Sequence, residues 1–168
     1  LMLEACGAEG MTSICNAARE PEIVDLQDFL NACGARVSGA GSSAVVVEGG
    51  RRLHGCTYTI MPDRIAAATY LCAAASAGGV ALLRGAREDH LSTVTAVLRE
   101  AGCDIVSDQA GIACVCQKPL RSVRPVRTAP YPGFPTDAPA VLMAALLRRR
   151  GATVCAANSF ETRYRPVA

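Results

Sequence analysis

The 168-residue chain has no tryptophan, and aromatic residues make up only 4% of it, so its core must be built from small aliphatic side chains packed closely. Neither positive nor negative charge is in large excess. The formal net charge is +2 and there is no long basic block, so nucleic-acid binding is not predicted. No apolar run reaches the length of a membrane span, and no signal-peptide pattern opens the chain, so no membrane partner is predicted.

Histidine is nearly absent, which limits what the nine cysteines can do. Cys114 and Cys116 form a C-x-C pair, but His54 and His90 are the sole histidines that could complete a metal site. The pattern therefore favours structural cysteines, with no metal and no cofactor, in a reduced cytoplasmic protein. Six further cysteines stand singly in apolar segments, where a free thiol behaves as a small hydrophobic group: Cys6, Cys15, Cys33, Cys72, Cys103 and Cys155.

An internal repeat organises the chain. The outline of residues 10–20 recurs at residues 78–88, with glycine and Ala-Arg-Glu both offset by 78 − 10 = 68 residues, and a third copy begins at Gly151. The repeated unit is predicted as helix, strand, loop, helix and strands, with Pro62 as the seam between two parts. Helices are predicted at residues 1–7, 23–30, 63–77 and 138–150, with another whose end maps on Leu98 and Gly102 by the same offset. Strands are predicted near residues 10–15, 35–38, 44–48, 56–60, 104–106 and 112–116.

The stretch Arg127–Asp137 contains three prolines and a glycine in eleven residues, so it cannot form a regular helix or a central strand. It is predicted to be a stiff loop that places Asp137 at the start of the apolar helix beginning at Ala138. Two interpretations of Asp137 follow from the residues alone. It is either a helix N-cap, or a carboxylate presented to a site.

Three motifs together resemble the UDP-N-acetylglucosamine enolpyruvyl transferases of cell-wall synthesis: Asn16-Ala17-Ala18-Arg19-Glu20-Pro21, Pro62-Asp63-Arg64-Ile65 and the Arg127–Asp137 loop. The resemblance covers the whole chain, which corresponds to a middle portion of such an enzyme. It implies an α+β fold of repeated βαβαββ units, of the inside-out barrel type. Residues 1–61 would then be the C-terminal part of one domain, and residues 62–168 the first half of the second.

The resemblance also implies the reaction and its residues. The enolpyruvyl group of phosphoenolpyruvate would be moved to the 3-hydroxyl of UDP-N-acetylglucosamine by addition and then elimination of phosphate. Asp137 matches the aspartate that contacts this hydroxyl and is the proposed catalytic base, while Ser159 and Arg163 match substrate-binding positions. Asp63 and Arg64 match the point where the chain crosses between domains, beside the cleft. The substrates and the remainder of the parent chain are the expected partners.

Some positions depart from the family pattern. The polar residues that the family has at positions 66, 139, 162 and 166 are replaced here by Ala66, Pro139, Thr162 and Pro166. These losses leave open a non-catalytic relative that binds a sugar nucleotide or is structural. Asp63 and Arg64 could equally be a first-turn acid and its surface partner. The shikimate-pathway enolpyruvyl transferase lacks this loop and ranks lower. Because further catalytic segments lie outside the chain, the chain alone is predicted to be inactive.

Overall fold

The chain folds into two units, Leu1–Met61 and Pro62–Ala168. The computed structural model describes residues 1–147 and 151–156 of it. Each unit is built around a three-stranded antiparallel sheet with helices against one face. None of the helices in the described part of the chain is long and apolar enough to cross a membrane.

The first unit contains two helices and three strands: α1 (Met2–Gly7), β1 (Gly10–Cys15), α2 (Pro21–Ala32), β2 (Arg36–Ser38) and β3 (Ala44–Gly49). The spatial order is β1-β3-β2, so the last strand is the central one. Val45 and Val47 alternate with outward-facing residues and are essentially inaccessible to solvent, as the period of two along a strand requires. They pack against the first turns of α1 and against Leu30 of α2.

The second unit repeats this arrangement and adds to it. Its elements are α3 (Arg64–Ala77), β4 (Val80–Arg84), a 3-10 helix (Glu88–His90), α4 (Ser92–Ala101), β5 (Asp104–Asp108), β6 (Gly111–Val115), β7 (Val126–Arg127), α5 (Pro139–Leu146) and β8 (Cys155–Ala156). The sheet order is β4-β6-β5, and the short strands β7 and β8 pair in parallel. The same strand order in both units confirms the internal repeat.

The core of the second unit is made of small side chains, as the scarcity of aromatics predicts. Helix α3 contributes Ala68 and Leu71, which pack with Leu142 and Ala145 of α5, and all four are almost fully buried. Phe134 is the one aromatic residue of this core in the part of the chain that the structure describes. Such small side chains let the helices lie close together.

Helix α3 begins one residue after the predicted position, because Asp63 is its N-cap. The Asp63 carboxylate accepts hydrogen bonds from the backbone N–H groups of Ile65 (2.8 Å) and Ala66 (3.0 Å). These bonds satisfy two of the donors that the first turn of a helix leaves unpaired. Gly78, in the left-handed conformation, ends the helix.

The predicted strand over residues 56–60 is wrong. Residues 51–63 have no regular secondary structure. Their polar groups bond to α2 instead of to a sheet, because the Met61 N–H and the Tyr58 hydroxyl both donate to the Asp25 carboxylate, at 3.1 and 3.0 Å. The side chains of this segment that favour a strand therefore pack against a helix. Strand propensity alone cannot tell whether a segment will pair in a sheet or pack against a helix.

Candidate active site

The Arg127–Asp137 loop folds back on itself. A bridge joins Thr128 to Phe134, and the Ala129 N–H donates to the Phe134 carbonyl at 3.1 Å. The Gly133 N–H closes the turn onto the Pro130 carbonyl at 2.8 Å. With the ring of Phe134 anchored in the core, the predicted stiff loop is confirmed, and its stiffness comes from backbone bonds as well as from proline.

Gly133 is required in this loop by close approach. A Cβ atom at this position would lie 2.6 Å from the Ala129 Cβ and 2.8 Å from the Pro130 carbonyl oxygen. Both distances are far shorter than van der Waals contact, so the turn accommodates no side chain here. The loop owes its tight shape to this glycine.

Tyr131 ties the loop to two other elements of the second unit. Its hydroxyl donates to the Asp89 carbonyl of the 3-10 helix at 3.1 Å. The Arg64 guanidinium carbon lies 5.7 Å from the centroid of its ring, a cation–π distance. The loop and the start of α3 therefore meet at one place, although 131 − 64 = 67 residues separate them in sequence.

Arg64 is only 8% exposed, so the alternative of a surface ion-pair partner is wrong for it. Asp63, in contrast, is exposed and caps α3. This agrees with the alternative that it is an acidic residue at the start of the helix. A buried guanidinium needs compensation, and the face of the Tyr131 ring provides part of it. The two neighbouring residues thus have different positions and different tasks.

Asp137 is exposed and stands immediately before α5. Its interpretation as the N-cap is wrong, because Ala138 occupies the N-cap position and Pro139 the first helical position. Proline is well suited to that position, since its missing N–H would have no partner there and its fixed φ is helical. Pro139 is buried, so its side chain supports the helix instead of reaching a ligand.

The remaining predicted site residues, Ser159 and Arg163, lie outside the described residues, as do Arg148, Thr162 and Pro166. Helix α5 spans Pro139–Leu146, and residues 148–150 of the predicted helix also lie outside the described residues. The described part of the candidate site therefore consists of the Arg127–Asp137 loop and the first turn of α3.

Sequence reasoning missed the group that supports the 3-10 helix. The Glu88 carboxylate accepts hydrogen bonds from Arg99, from Ser107 and from Thr95 Oγ1, the last at 3.0 Å. Chiefly the bond from Arg99 lowers the pKa of Glu88 to about 2. Because Asp89 follows directly and receives the Tyr131 hydroxyl, this cluster fixes the surface on which the loop rests. Glu88 could have been suspected, since it ends the repeated Ala-Arg-Glu.

The cysteines are mainly buried, as predicted for small hydrophobic groups. Cys103, Cys114 and Cys116 pack together in the core, and burial raises the pKa of Cys72 to about 12. The prediction is wrong for Cys15, which is exposed at the end of β1. Within residues 1–147 and 151–156, no group of three His, Cys, Asp or Glu side chains is placed to hold a metal ion.

Two curated relatives are similar to almost the whole chain. It is 43% identical over 165 residues to UDP-N-acetylglucosamine 1-carboxyvinyltransferase 2 of Caldanaerobacter subterraneus subsp. tengcongensis, covering 98% of this chain and 40% of the relative. It is 47% identical over 165 residues to UDP-N-acetylglucosamine 1-carboxyvinyltransferase of Desulfovibrio desulfuricans, covering 98% and 39%. The motif resemblance is confirmed, and the chain spans about 40% of the length of these relatives.

Among solved structures, the fold is similar to that of the enolpyruvyl transferase NikO from Streptomyces tendae. The TM-score is 0.72 at 22% sequence identity, over 98% of this chain and 40% of that one. This similarity confirms the predicted α+β fold class. The sequence of residues 1–167 also matches the family described as EPSP synthase (3-phosphoshikimate 1-carboxyvinyltransferase). The chain therefore belongs to the EPSP synthase family.

Proposed function

We propose that the parent of this chain transfers the enolpyruvyl group of phosphoenolpyruvate to the 3-hydroxyl of UDP-N-acetylglucosamine, the first committed step of peptidoglycan synthesis. Relatives that carry this substrate in their names are 43–47% identical to nearly all of the chain. We further infer a cytoplasmic enzyme, with residues 1–61 from the C-terminal part of one domain and residues 62–168 from the first half of the other.

One observation of the structure carries the proposal most directly. The loop that presents Asp137 is fixed at Tyr131 against the buried Arg64, so a carboxylate and a guanidinium are positioned by one rigid support. An enzyme that joins the hydroxyl oxygen of one substrate to a second, anionic substrate needs both groups. The carboxylate accepts the proton of the hydroxyl, and the guanidinium stabilises negative charge. Rigid placement of such groups supplies much of the rate enhancement.

Asp137 would orient the sugar 3-hydroxyl and accept its proton as the new C–O bond forms. Asp137 is exposed in this structure, which corresponds to an open cleft. A solvated carboxylate is a weak base, so the proton transfer requires the cleft to close. Closure by the rest of the parent would exclude water and strengthen the interaction. Ser159 and Arg163 would complete the substrate contacts, and Asp63 and Arg64 would line the same cleft. Because the chain spans about 40% of the length of its relatives, much of that cleft would come from the rest of the parent, and we expect the chain alone to be inactive.

The replacements at Ala66 and Pro139 favour a second candidate function, in which the parent binds a sugar nucleotide without turnover. Ala66 is exposed in the first turn of α3, and Pro139 is buried at the first position of α5. Neither side chain can donate a hydrogen bond to a ligand. Catalysis and binding without turnover are distinguished by the experiment below.

The test is phosphate release by the full-length parent in the presence of both substrates, compared with Asp137→Ala. We expect activity in the wild type and a loss of about 10²–10⁴-fold in the variant, the usual contribution of a positioned acid or base. Asp104→Ala, which removes an exposed aspartate of the same unit, is the matched control and should keep full activity. Full activity of Asp137→Ala would refute its role. An inactive parent that still binds UDP-N-acetylglucosamine would refute catalysis and favour the second function.

A further inference from the structure

Residues 50–61, which we call the strap, lie along one face of helix α2. The Tyr58 hydroxyl donates to the Asp25 carboxylate at 3.0 Å, and the Tyr58 and Phe29 rings pack edge to face with centroids 5.5 Å apart. The next residue on that face is Cys33, since Asp25, Phe29 and Cys33 follow at intervals of 29 − 25 = 33 − 29 = 4. The strap is thus held at two points, and a third lies in line with them.

At this third point, Cys33 and Cys56 face each other. Their sulfur atoms are 3.4 Å apart and share a hydrogen bond, which is van der Waals contact for two thiols. A disulfide needs about 2.05 Å, so a movement of roughly 1.4 Å would suffice to form the bond. Both cysteines are free.

The two thiols differ in accessibility. Cys56 is exposed on the strap, whereas Cys33 is 8% exposed at the end of α2. The hydrogen bond to Cys56, with burial as a smaller cause, raises the pKa of Cys33. Cys33 therefore holds its proton more firmly than an ordinary thiol, and the exposed Cys56 is the sulfur that an oxidant meets first.

We propose that Cys33 and Cys56 form a site of reversible oxidation, at which a peroxide converts the two thiols into a disulfide that fastens the strap to α2. The Cys56 thiol ionises, its thiolate attacks one peroxide oxygen and the O–O bond breaks; the leaving hydroxide takes up the proton that the thiol released, so the products are a sulfenic acid and water. The Cys33 sulfur then attacks the Cys56 sulfur, the S–O bond breaks, and a second water carries away the Cys33 proton. In total two thiols and one peroxide give a disulfide and two waters.

Fastening has a physical consequence for the strap. The strap has no regular secondary structure. Between Gly50 and Tyr58 its backbone is tied by the His54 N–H, which donates to the Cys33 carbonyl at 2.9 Å, and the Arg51 side chain donates to the Gly34 carbonyl and to Glu48, both at 3.2 Å. A covalent bond next to this contact would restrict local opening of the segment. We therefore expect oxidation to protect the strap from cleavage after Arg52.

The test treats the full-length parent with a small molar excess of hydrogen peroxide, alkylates the remaining thiols and digests it with trypsin. Cleavage after arginine places Cys33 alone in residues 20–36 and Cys56 alone in residues 53–64, so each peptide carries a single cysteine. We expect these two peptides to appear joined, lighter by two hydrogen atoms than their sum, and to separate on treatment with dithiothreitol. Before full digestion, brief native trypsin treatment should cleave after Arg52 several-fold more slowly in the oxidised protein.

Two variants make the outcome decisive. Cys56→Ser should abolish the joined peptide, and Cys15→Ser, which removes another exposed thiol of the same unit, should leave it unchanged. Conversion of Cys56 to sulfinic acid without the joined peptide, or a disulfide from Cys56 to any cysteine other than Cys33, would overturn the proposal. Unchanged cleavage after Arg52 in the oxidised protein would overturn the fastening of the strap.

Discussion

Replacing Glu88 by glutamine should loosen the second unit in a way that depends on pH. The carboxylate is 24% exposed and bonds to Arg99, Thr95 and Ser107, which together bind the 3-10 helix to α4 and β5. Glutamine keeps the shape of the side chain but loses the charge. The variant thus separates the electrostatic contribution of Glu88 from its packing.

The size of the effect follows from the pKa of Glu88, which is lowered from 4.5 to about 2, mainly by the bond from Arg99. A difference of this size corresponds to roughly 3 kcal/mol of extra stability for the ionised form. The Arg99 side chain is 41% exposed, so solvent screens the interaction, and we expect about 1–2 kcal/mol. The local free energy of opening in Glu88→Gln should be lower by that amount at pH 7.

The direction with pH is fixed by the sign of the shift. Because the pKa of Glu88 is lower in the folded state, its stabilisation is complete above the unfolded pKa of 4.5 and is lost as the pH falls toward 2. The wild-type protein should therefore lose its advantage over Glu88→Gln between these values. At pH 3 less than half of the difference should remain.

Hydrogen exchange of the α4 amides measures this difference without requiring the whole parent to unfold in one step. Wild type and variant are compared at the same pH, so the intrinsic exchange rate cancels. We expect exchange about 5- to 30-fold faster in the variant at pH 7. Glu100→Gln, whose partner Arg124 is 88% exposed, is the control and should change exchange less. An equal effect of Glu88→Gln at pH 7 and pH 3 would refute the role of its charge.

Two further substitutions test the supports of the candidate site. Gly133→Ala should destabilise the loop by about 1–3 kcal/mol, because the new Cβ would meet Ala129 at 2.6 Å; the thermal midpoint of the parent should fall, whereas Gly79→Ala, with open space around it, should leave it nearly unchanged. Asp63→Ala should cost about 0.5–2 kcal/mol through loss of the α3 cap. Asp63→Asn, which can still cap, should restore most of that stability in urea unfolding, and equal losses in both variants would contradict the capping role.

The sequence predicted elements whose signals are local. The apolar spacing and Gly78 locate α3 to within one residue, and the 68-residue offset predicts two equivalent sheets. What it missed depends on contacts distant along the chain. The contact between Arg64 and Tyr131 has no local pattern, and the helical partner of residues 56–60 could not be distinguished from a sheet by β-propensity.

The N-cap interpretation of Asp137, one of the two that the residues allow, failed for a different reason. Aspartate before an apolar run is a typical N-cap, and the rule gives no weight to the residue two positions later. Pro139 prefers the first helical position, which assigns the cap to Ala138.

The two repeats share one backbone contact at equivalent positions, but only in the second does that contact belong to the support of the candidate site. In the first copy the Asn31 side chain donates to the Val37 carbonyl at 2.9 Å, and in the second Arg99 donates to the Ile105 carbonyl at 3.0 Å. These are equivalent bonds, since 99 − 31 = 105 − 37 = 68.

Asn31 uses both ends of its amide on this local link, because its oxygen also accepts from the Val37 N–H at 2.8 Å. Arginine has further N–H groups in a fixed fork, and in the second copy one of them reaches Glu88. Glu20, the counterpart of Glu88, stands at the N-cap of α2 with no side-chain capping bond. The second copy therefore anchors its 3-10 helix through three residues that the first copy lacks, since Arg99, Thr95 and Ser107 stand where the first copy has Asn31, Gln27 and Gly39. Tyr131 and the Asp137 loop rest on this helix.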